Sequence, residues 1–505
     1  MSDKSSSYRQ ILRSSSIIGG ASVINIVLGI ARMKAAAVFL GPAGVGLIGL
    51  LNNLTGVATT VACMGVGNVG VRQIAEAAGK NDETAIAEAR RALFWATLFL
   101  AGLGAGVFWL LRGVLADKVL HNPALASDVG WLALAVGLAI AAATQSALLN
   151  GLRRIGDLSR VSVYSGVLST VLGVAVMAIW GLDGLVAYIL ITPIASFVLG
   201  HWYVSRLPKA AAVNVPLSGL IMQWRTLARL GFAFMLSGLV LMLGQLLVRS
   251  LIQKDLGLDA LGHFQAAWAI SMTYIGFVLG AMGADYYPRL TAAISDHAAV
   301  NRMANEQTEV ALLLAAPVFI AMMALAPWVI QLLYSHEFQP AADVLHWQIL
   351  GDILKVASWP LGFIILAAGD GKTFVVTETL SISLFVLLTW LTLPWIGLEA
   401  SGLSFLGMYL GYLPVVYLLA KRRTGFSWNG PVLKQIVSLF IAAAAVMVLA
   451  RYSQSLAAGF GLLLSAGFGA YGFSRLAHKS ELTGVLGNVA HKTQMAMKKI
   501  GVWHD

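Results

Sequence analysis

The chain has 505 residues, of which 58% are hydrophobic and only 11% charged, with a mean hydropathy of +0.79 and a formal net charge of +11. That balance excludes a water-soluble globular protein, whose surface needs far more polar cover. Cys63 is the one cysteine, which excludes an internal disulfide and a thiolate metal cluster, and it reads as a small apolar residue.

A hydrocarbon layer ~30 Å thick is crossed by about 20 helical residues, because only a helix satisfies its own backbone there. Fourteen apolar blocks meet that length, at 14–39, 43–67, 90–111, 128–149, 159–180, 185–205, 226–250, 261–284, 308–332, 342–368, 373–393, 400–420, 432–450 and 456–474. The expected fold is therefore an all-α polytopic membrane protein. The short connection 451–455 leaves open a single kinked element in place of the last two. Lys4, Arg9 and Arg13 precede the first block in the manner of a signal peptide. The block is too long for a cleaved apolar region and carries Arg32 and Lys34, so it reads as a retained helix.

Charge sets the orientation. With the N-terminus inside, the cytoplasmic segments carry 26 of the 34 Lys and Arg, against Arg112, Lys118, Lys254 and Arg451 outside. Both termini are then cytoplasmic by the positive-inside rule, and the basic balance implies anionic lipid rather than nucleic acid. Loops are short, the longest outer one running from about Arg112 to Ser127, so no outer domain is available to host chemistry.

At an offset of 216 residues, Gly41-Pro42-Ala43-Gly44-Val45-Gly46 falls on Gly257-Leu258-Asp259-Ala260-Leu261-Gly262. One residue further along, Arg32 falls on Arg249 and Arg72 on Arg289. Gly-rich turns also recur by chance. As a true repeat, the match divides the chain into an N-lobe (1–205), a linker (206–225), a parallel C-lobe (226–420), two added helices (421–474) and a basic tail (475–505). Leu482, Val485, Leu486 and Val489 give that tail the pattern of an amphipathic surface helix, with disorder as the alternative.

Three motif matches carry no chemistry. Gly65-Val66-Gly67-Asn68-Val69-Gly70 fits a dinucleotide fingerprint but follows a membrane helix, not a strand. Gly371-Lys372-Thr373 resembles the end of a P-loop, yet Leu366 stands where its first glycine belongs. Asn53-Leu54-Thr55, a glycosylation acceptor by pattern, lies inside the second span. The scattered histidines, His201 and His346 among them, show no metal-ligand spacing, and no catalytic serine or cysteine arrangement is recognisable.

The charges inside the spans are the informative residues, because an uncompensated charge there costs roughly 2.5–3.5 kcal/mol. Asn25 and Arg32, with Ser22 and Gly29, form one stripe on the first span; Lys34 is nearer the rim. Gln245 and Arg249 form a similar stripe on the seventh, where Arg249 could also serve as a rim anchor. Asp352 and Lys355, with Gln348 a turn earlier, suggest a buried ion pair, or more sharply a proton- or cation-linked switch; Glu378 is a second candidate acid. Asn52, Asn53, Thr55, Thr59 and Thr60 give the second span a polar face, and Thr144, Gln145, Ser146 and Asn150 the fourth. In the first half the embedded charge is basic, which selects anions, phosphates above all.

The leader, Ala31-Arg32-Met33-Lys34, and Phe39-Leu40-Gly41-Pro42-Ala43-Gly44-Val45-Gly46 running into a polar second helix and Gly65-Val66-Gly67 resemble the Wzx-type polysaccharide flippases. These belong to the multidrug/oligosaccharidyl-lipid/polysaccharide exporter superfamily. The resemblance implies two six-helix lobes forming a V around a central cavity. Its cargo would be a polyprenyl-pyrophosphate-linked oligosaccharide carried by alternating access to the outer leaflet of the bacterial inner membrane, with no enzymatic step and no cofactor. In that role Arg32 and Arg249 would face the phosphates, helped by Lys34 and Lys355 and flanked by Asn25 and Gln245. Asn52, Asn53, Thr59 and Gln145 would touch sugar, and Arg72 and Arg289 would attract the headgroup from the cytoplasm. Asp352 and Glu378 would couple transport to a proton or sodium gradient. Partners would be the lipid-linked cargo, membrane lipids and a polymerase or chain-length machinery, around a monomer. Fourteen spans depart from the twelve usual in Wzx-type members and keep a lipid II flippase open. A cation-coupled drug antiporter is weakened by the lack of an acid in the first span, and a polymerase by the lack of a large outer loop.

Overall fold

The computed structural model describes residues 2–79, 82–208 and 217–479. Every regular element among them is helical. In chain order these are α1 Ser2–Cys63, α2 Val66–Gly79, α3 Glu83–Leu110, α4 Arg112–Lys118, α5 Ala126–Gly151, α6 Ile155–Trp180 and α7 Leu185–Ser205. There follow α8 Leu217–Ala292, α9 His297–Leu333, α10 Ala341–Ala367, α11 Gly371–Ile396, α12 Glu399–Thr424, α13 Gly430–Tyr452 and α14 Gln454–Lys479. Ten continuous stretches among the described residues are long and apolar enough to cross a membrane, and Ile17–Cys63 and Ile155–Ser205, at 47 and 51 residues, each accommodate two crossings. The chain is a multi-pass membrane protein.

The blocks correspond to these helices with three differences. The segment after the second block is not a plain loop: Met64 and Gly65 turn the chain at positive φ into α2. Ile74 of α2 is fully buried, and an added Cβ at Gly151 of α5 would lie 2.8 Å from the Ile74 Cβ, so α2 packs closely on the bundle. The loop from about Arg112 to Ser127 contains the short helix α4. At the C-terminal end Ser453 is extended (φ −156°, ψ 113°), which separates α13 from α14 instead of kinking one element. The tail beyond Lys479 and linker positions 209–216 lie outside the described residues.

The long helices α1 and α8 share a break that bears on the repeat. Gly41 (φ 64°, ψ −170°) and Gly257 (φ 85°, ψ −180°) interrupt them in nearly the same non-helical conformation, which residues with a Cβ rarely adopt. Pro42 follows Gly41 and starts the next helical segment, where its missing N–H leaves no bond unmade. The two positions are 216 apart, the offset found in the sequence.

Two compact units result, one of Met1–Gly262 with Leu333–Ser335 and one of His263–Leu332 with His336–Asp505. Within the first, the two glycine turns meet backbone to backbone: an added Cβ at Gly262 would lie 1.9 Å from the Pro42 carbonyl oxygen, and one at Gly46 would lie 2.7 Å from the Gly262 nitrogen. Backbone cannot yield as a side chain does, so Gly262→Ala is expected to destabilise the protein by ~1–3 kcal/mol. Gly238→Ala, where nothing lies within 4 Å, is the control. A thermal unfolding midpoint for Gly262→Ala equal to that of the control would contradict the contact.

The first unit packs Leu93, Leu149, Val161 and Tyr203 around Ile74, joining α2, α3, α5, α6 and α7. In the second unit α10 is central, with 78% of its apolar window buried against 28% for α11. Polar side chains on α10 therefore face protein and not lipid. Large exposed side chains elsewhere, such as Trp395, Leu332 and Leu110, are the lipid-facing counterpart of that core.

Candidate functional site

The first unit contains a cavity of about 640 Å3. Its walls follow from helical periodicity. From α1 come Arg32, Asn52, Thr55, Gly56, Thr59 and Thr60, with the break at Gly41 letting residues 20 apart line one space. From α5 come Ala135, Ala139, Ala142, Ala143 and Ser146, a face of small side chains. From α7 come Tyr188, Ile189, Thr192, Pro193 and Ser196, and α8 adds Met242. Pro193 removes the N–H that would close onto the Ile189 carbonyl, leaving a spare acceptor in that wall. Arg32 is the one charged residue in the lining, which includes no acid.

Arg32 is held from behind. Its Nη1 donates to Ser169 Oγ at 3.3 Å, while seven residues earlier Asn25 Nδ2 donates to Ser162 Oγ at 2.8 Å. Equal steps of seven on α1 and α6 show the two helices running parallel in fixed register. The stripe read from Asn25 to Arg32 thus exists, but Asn25 serves α6 and does not line the cavity.

The cavity hydroxyls differ from those elsewhere. Thr97, Thr170, Thr389 and Thr392 each donate to a carbonyl of their own helix, the usual resort of a membrane hydroxyl. Thr59, Ser146, Thr192, Ser196 and the Tyr188 hydroxyl line the cavity and bond to no protein group among the described residues. They are available to water or cargo. Thr55 lines it too but is occupied by the Leu51 carbonyl.

Several expected residues lie elsewhere. Arg249 is 4% exposed, does not line this cavity, and turns back to the Gln245 carbonyl of its own helix at 3.2 Å. Gln245 approaches the same guanidinium through Oε1 at 3.5 Å. Lys34 donates to the Tyr334 carbonyl. Asn53 and Gln145 sit off the lining faces, each with a buried side-chain oxygen that has no partner, and Gln145 packs against Gly200. Arg72 and Arg289 are exposed and paired with Glu76 and Asp285 at 2.7 and 2.9 Å, which offsets their pull on an anion. Tyr188, Thr192 and Ser196 add to the expected residues; their spacing of four along the apolar helix α7 is the sequence signal that marks them.

The second unit holds the remaining ionisable residues. Asp352 is fully buried, and its Oδ2 accepts from Ser271 Oγ and the Tyr274 hydroxyl, both at 2.6 Å. The expected Asp352–Lys355 ion pair is absent: both short hydroxyl bonds from α8 end on Oδ2, and the ammonium lies instead towards a thioether and two aromatic rings. Lys355 Nζ lies 3.6 Å from Met272 Sδ, with the Phe405 and Tyr409 rings at 5.9 and 6.0 Å. Glu378 accepts from the Tyr412 hydroxyl at 2.6 Å. Asp352 Oδ1 and both polar atoms of Gln348 are buried without a partner. The sequence Gly371-Lys372-Thr373 is a capped helix start: Thr373, through hydroxyl and backbone N–H, holds the Asp370 carboxyl below the usual carboxylate range, and Arg423 adds to the effect. His346 bonds the Met323 carbonyl at 3.0 Å, and no cluster of metal-ligand residues occurs among the described residues.

Comparison with known proteins agrees with this architecture. The family profile described as "Polysaccharide biosynthesis protein" matches residues 36–343. The lipid III flippase of Escherichia coli (strain K12) is 22% identical over 428 residues, covering 80% of this chain and 97% of its own. Among solved structures, the lipid II flippase MurJ in an inward closed conformation superposes with a TM-score of 0.66 at 12% identity, covering 92% of this chain and 99% of its own. A multidrug resistance MATE family transporter of the MOP superfamily, in an inward-facing conformation, gives 0.66 at 15% identity over 79% of this chain and 94% of its own. These likenesses establish the fold.

Proposed function

The chain belongs to the polysaccharide biosynthesis protein family, and on that premise we propose that it is a flippase for a polyprenyl-pyrophosphate-linked oligosaccharide. The carrying observation is the cavity of the first unit, with one guanidinium, no acid and hydroxyls that no protein group occupies. A pyrophosphate and its sugars cannot cross hydrocarbon, since their polar groups would lose water without replacement. A wall that offers Arg32 to phosphate and Asn52, Thr59, Thr192 and Ser196 to sugar replaces that water. The polyprenyl chain needs no such wall and stays in lipid. The reading is of a transporter, with both termini in the cytoplasm and the cargo moved towards the outer leaflet of the inner membrane.

Asp352 and Glu378 supply the coupling. Each carboxylate is held by a tyrosine hydroxyl, and Lys355 stands near both without an ion pair to either. Protonation of one acid, or a sodium ion beside it, alters which partner that acid retains. Within this reading Lys355 acts on the coupling acids and not on cargo. A lipid II flippase is the second reading, favoured by a fold likeness to MurJ over 92% of the chain, and it shares the pyrophosphate headgroup.

The test is reconstitution. Liposomes containing the full chain are expected to expose an inner-leaflet undecaprenyl-pyrophosphate oligosaccharide to an outside glycosidase, while protein-free liposomes do not. Equal protection in both preparations would end the reading. The same assay with lipid II separates the two cargoes.

A further inference from the structure

α6 positions two cavity groups from one face. Ser169 holds the Arg32 guanidinium, and four residues on, at Gly173, the helix presents no side chain where the Tyr188 ring lies: an added Cβ there would be 2.9 and 3.0 Å from its Cδ2 and Cε2. Residues four apart on a helix share a face. The ring and the guanidinium therefore line one cavity with their relative placement set by one rigid element. The Tyr188 hydroxyl bonds to no protein group among the described residues, although the side chain is half-buried. A flat apolar ring with an unoccupied hydroxyl suits a pyranose, which presents C–H on one face and hydroxyls at its edge. Tyr188 is the aromatic residue in the lining.

Resting on the proposed cargo, we infer that Tyr188 is a specificity-determining residue. It recognises the neutral sugar bonded directly to the pyrophosphate and so separates sugar-loaded carrier lipid from bare carrier lipid. Arg32 cannot make that selection, because the bare lipid ends in a free terminal phosphate that carries more negative charge than the diester of the sugar-bearing lipid. A phosphate-binding cavity alone would load the empty carrier at least as readily as the full one. The discrimination must come from groups that gain contacts only when a sugar is present, and a site that hydrogen-bonds a ligand hydroxyl rejects an analogue without it.

The experiment measures binding of two probes to the purified full chain in nanodiscs: undecaprenyl pyrophosphate bearing one N-acetylglucosamine, and undecaprenyl pyrophosphate alone. The unaltered protein is expected to favour the sugar-bearing lipid. Tyr188→Ala is expected to lower that preference about tenfold, and a thermal unfolding midpoint equal to that of the unaltered protein reports an intact fold. Gly173→Ala, by displacing the ring without removing it, should lower the preference in the same direction, and Tyr188→Phe should recover the part due to the ring. A preference in Tyr188→Ala equal to that of the unaltered protein overturns the inference. Arg32→Ala distinguishes this from failure of the underlying reading: it is expected to weaken both probes, and unchanged affinity for both would remove the cargo itself.

Discussion

Arg32→Ala is expected to abolish glycan export while the protein inserts at normal abundance. Arg32 is the cation of the cavity lining, and the fork of a guanidinium holds a phosphate through two charge-assisted bonds. Truncating one partner of such a pair costs ~2–5 kcal/mol, or roughly 30-fold to several thousand-fold in affinity. The fold loses little. Ser169 already donates to the Gly166 carbonyl at 3.2 Å, so removing the guanidinium strands no buried donor. Arg32→Lys, which keeps the charge and loses the fork, should fall between the two. Surface glycan and protein abundance, measured together in a complemented deletion strain, check the result. Wild-type export by Arg32→Ala would take Arg32 out of the site.

Asp352 gives the second large effect, and here two substitutions should diverge. Asp352→Ala removes the acceptor of two short bonds and leaves the Ser271 and Tyr274 hydroxyls buried without a partner, at ~1–3 kcal/mol each. Low abundance is the expected outcome. Asp352→Asn keeps an oxygen at that position and loses only the charge. It should fold at near-normal abundance and move cargo at a basal rate that an imposed proton or sodium gradient no longer raises. Gradient-stimulated transport by Asp352→Asn, measured in liposomes, would exclude Asp352 from coupling. The α10 position sharpens the contrast, since a hydroxyl packed against a helix buried on most sides has little water to turn to when its acceptor is lost.

The fold was largely legible because hydrocarbon imposes one solution on the backbone, and the length of an apolar block reports it directly. The glycine turns were legible for a similar reason: Gly41 and Gly257 adopt positive φ, and a backbone requirement of that kind is recorded in a single residue type. α2 was not, since only seven of its 14 residues are apolar and its packing against α5 depends on Gly151 in another helix. The site was legible where charge in an apolar setting singles out a residue, as for Arg32, or where a polar face recurs, as for Asn52 and Thr59. It failed where one turn of helix decides the direction. Arg249 falls near Arg32 in the repeat yet folds back on Gln245. Asn53 and Gln145 are one or two positions away from lining residues and face protein instead. The Asp352–Lys355 spacing identified neighbours but could not reveal that Ser271 and Tyr274, about 80 residues earlier, would claim the acid.

The unoccupied hydroxyls around Arg32 make loading a dehydration event as well as a recognition event. At ~30 Å3 per molecule in the liquid, a cavity of about 640 Å3 holds on the order of twenty waters, and a headgroup that fills it releases most of them to bulk. Loading then becomes sensitive to water activity, so osmotic stress from an excluded solute strengthens it. For the proposed cargo, affinity is in that sense expected to follow the osmolarity of the surrounding solution.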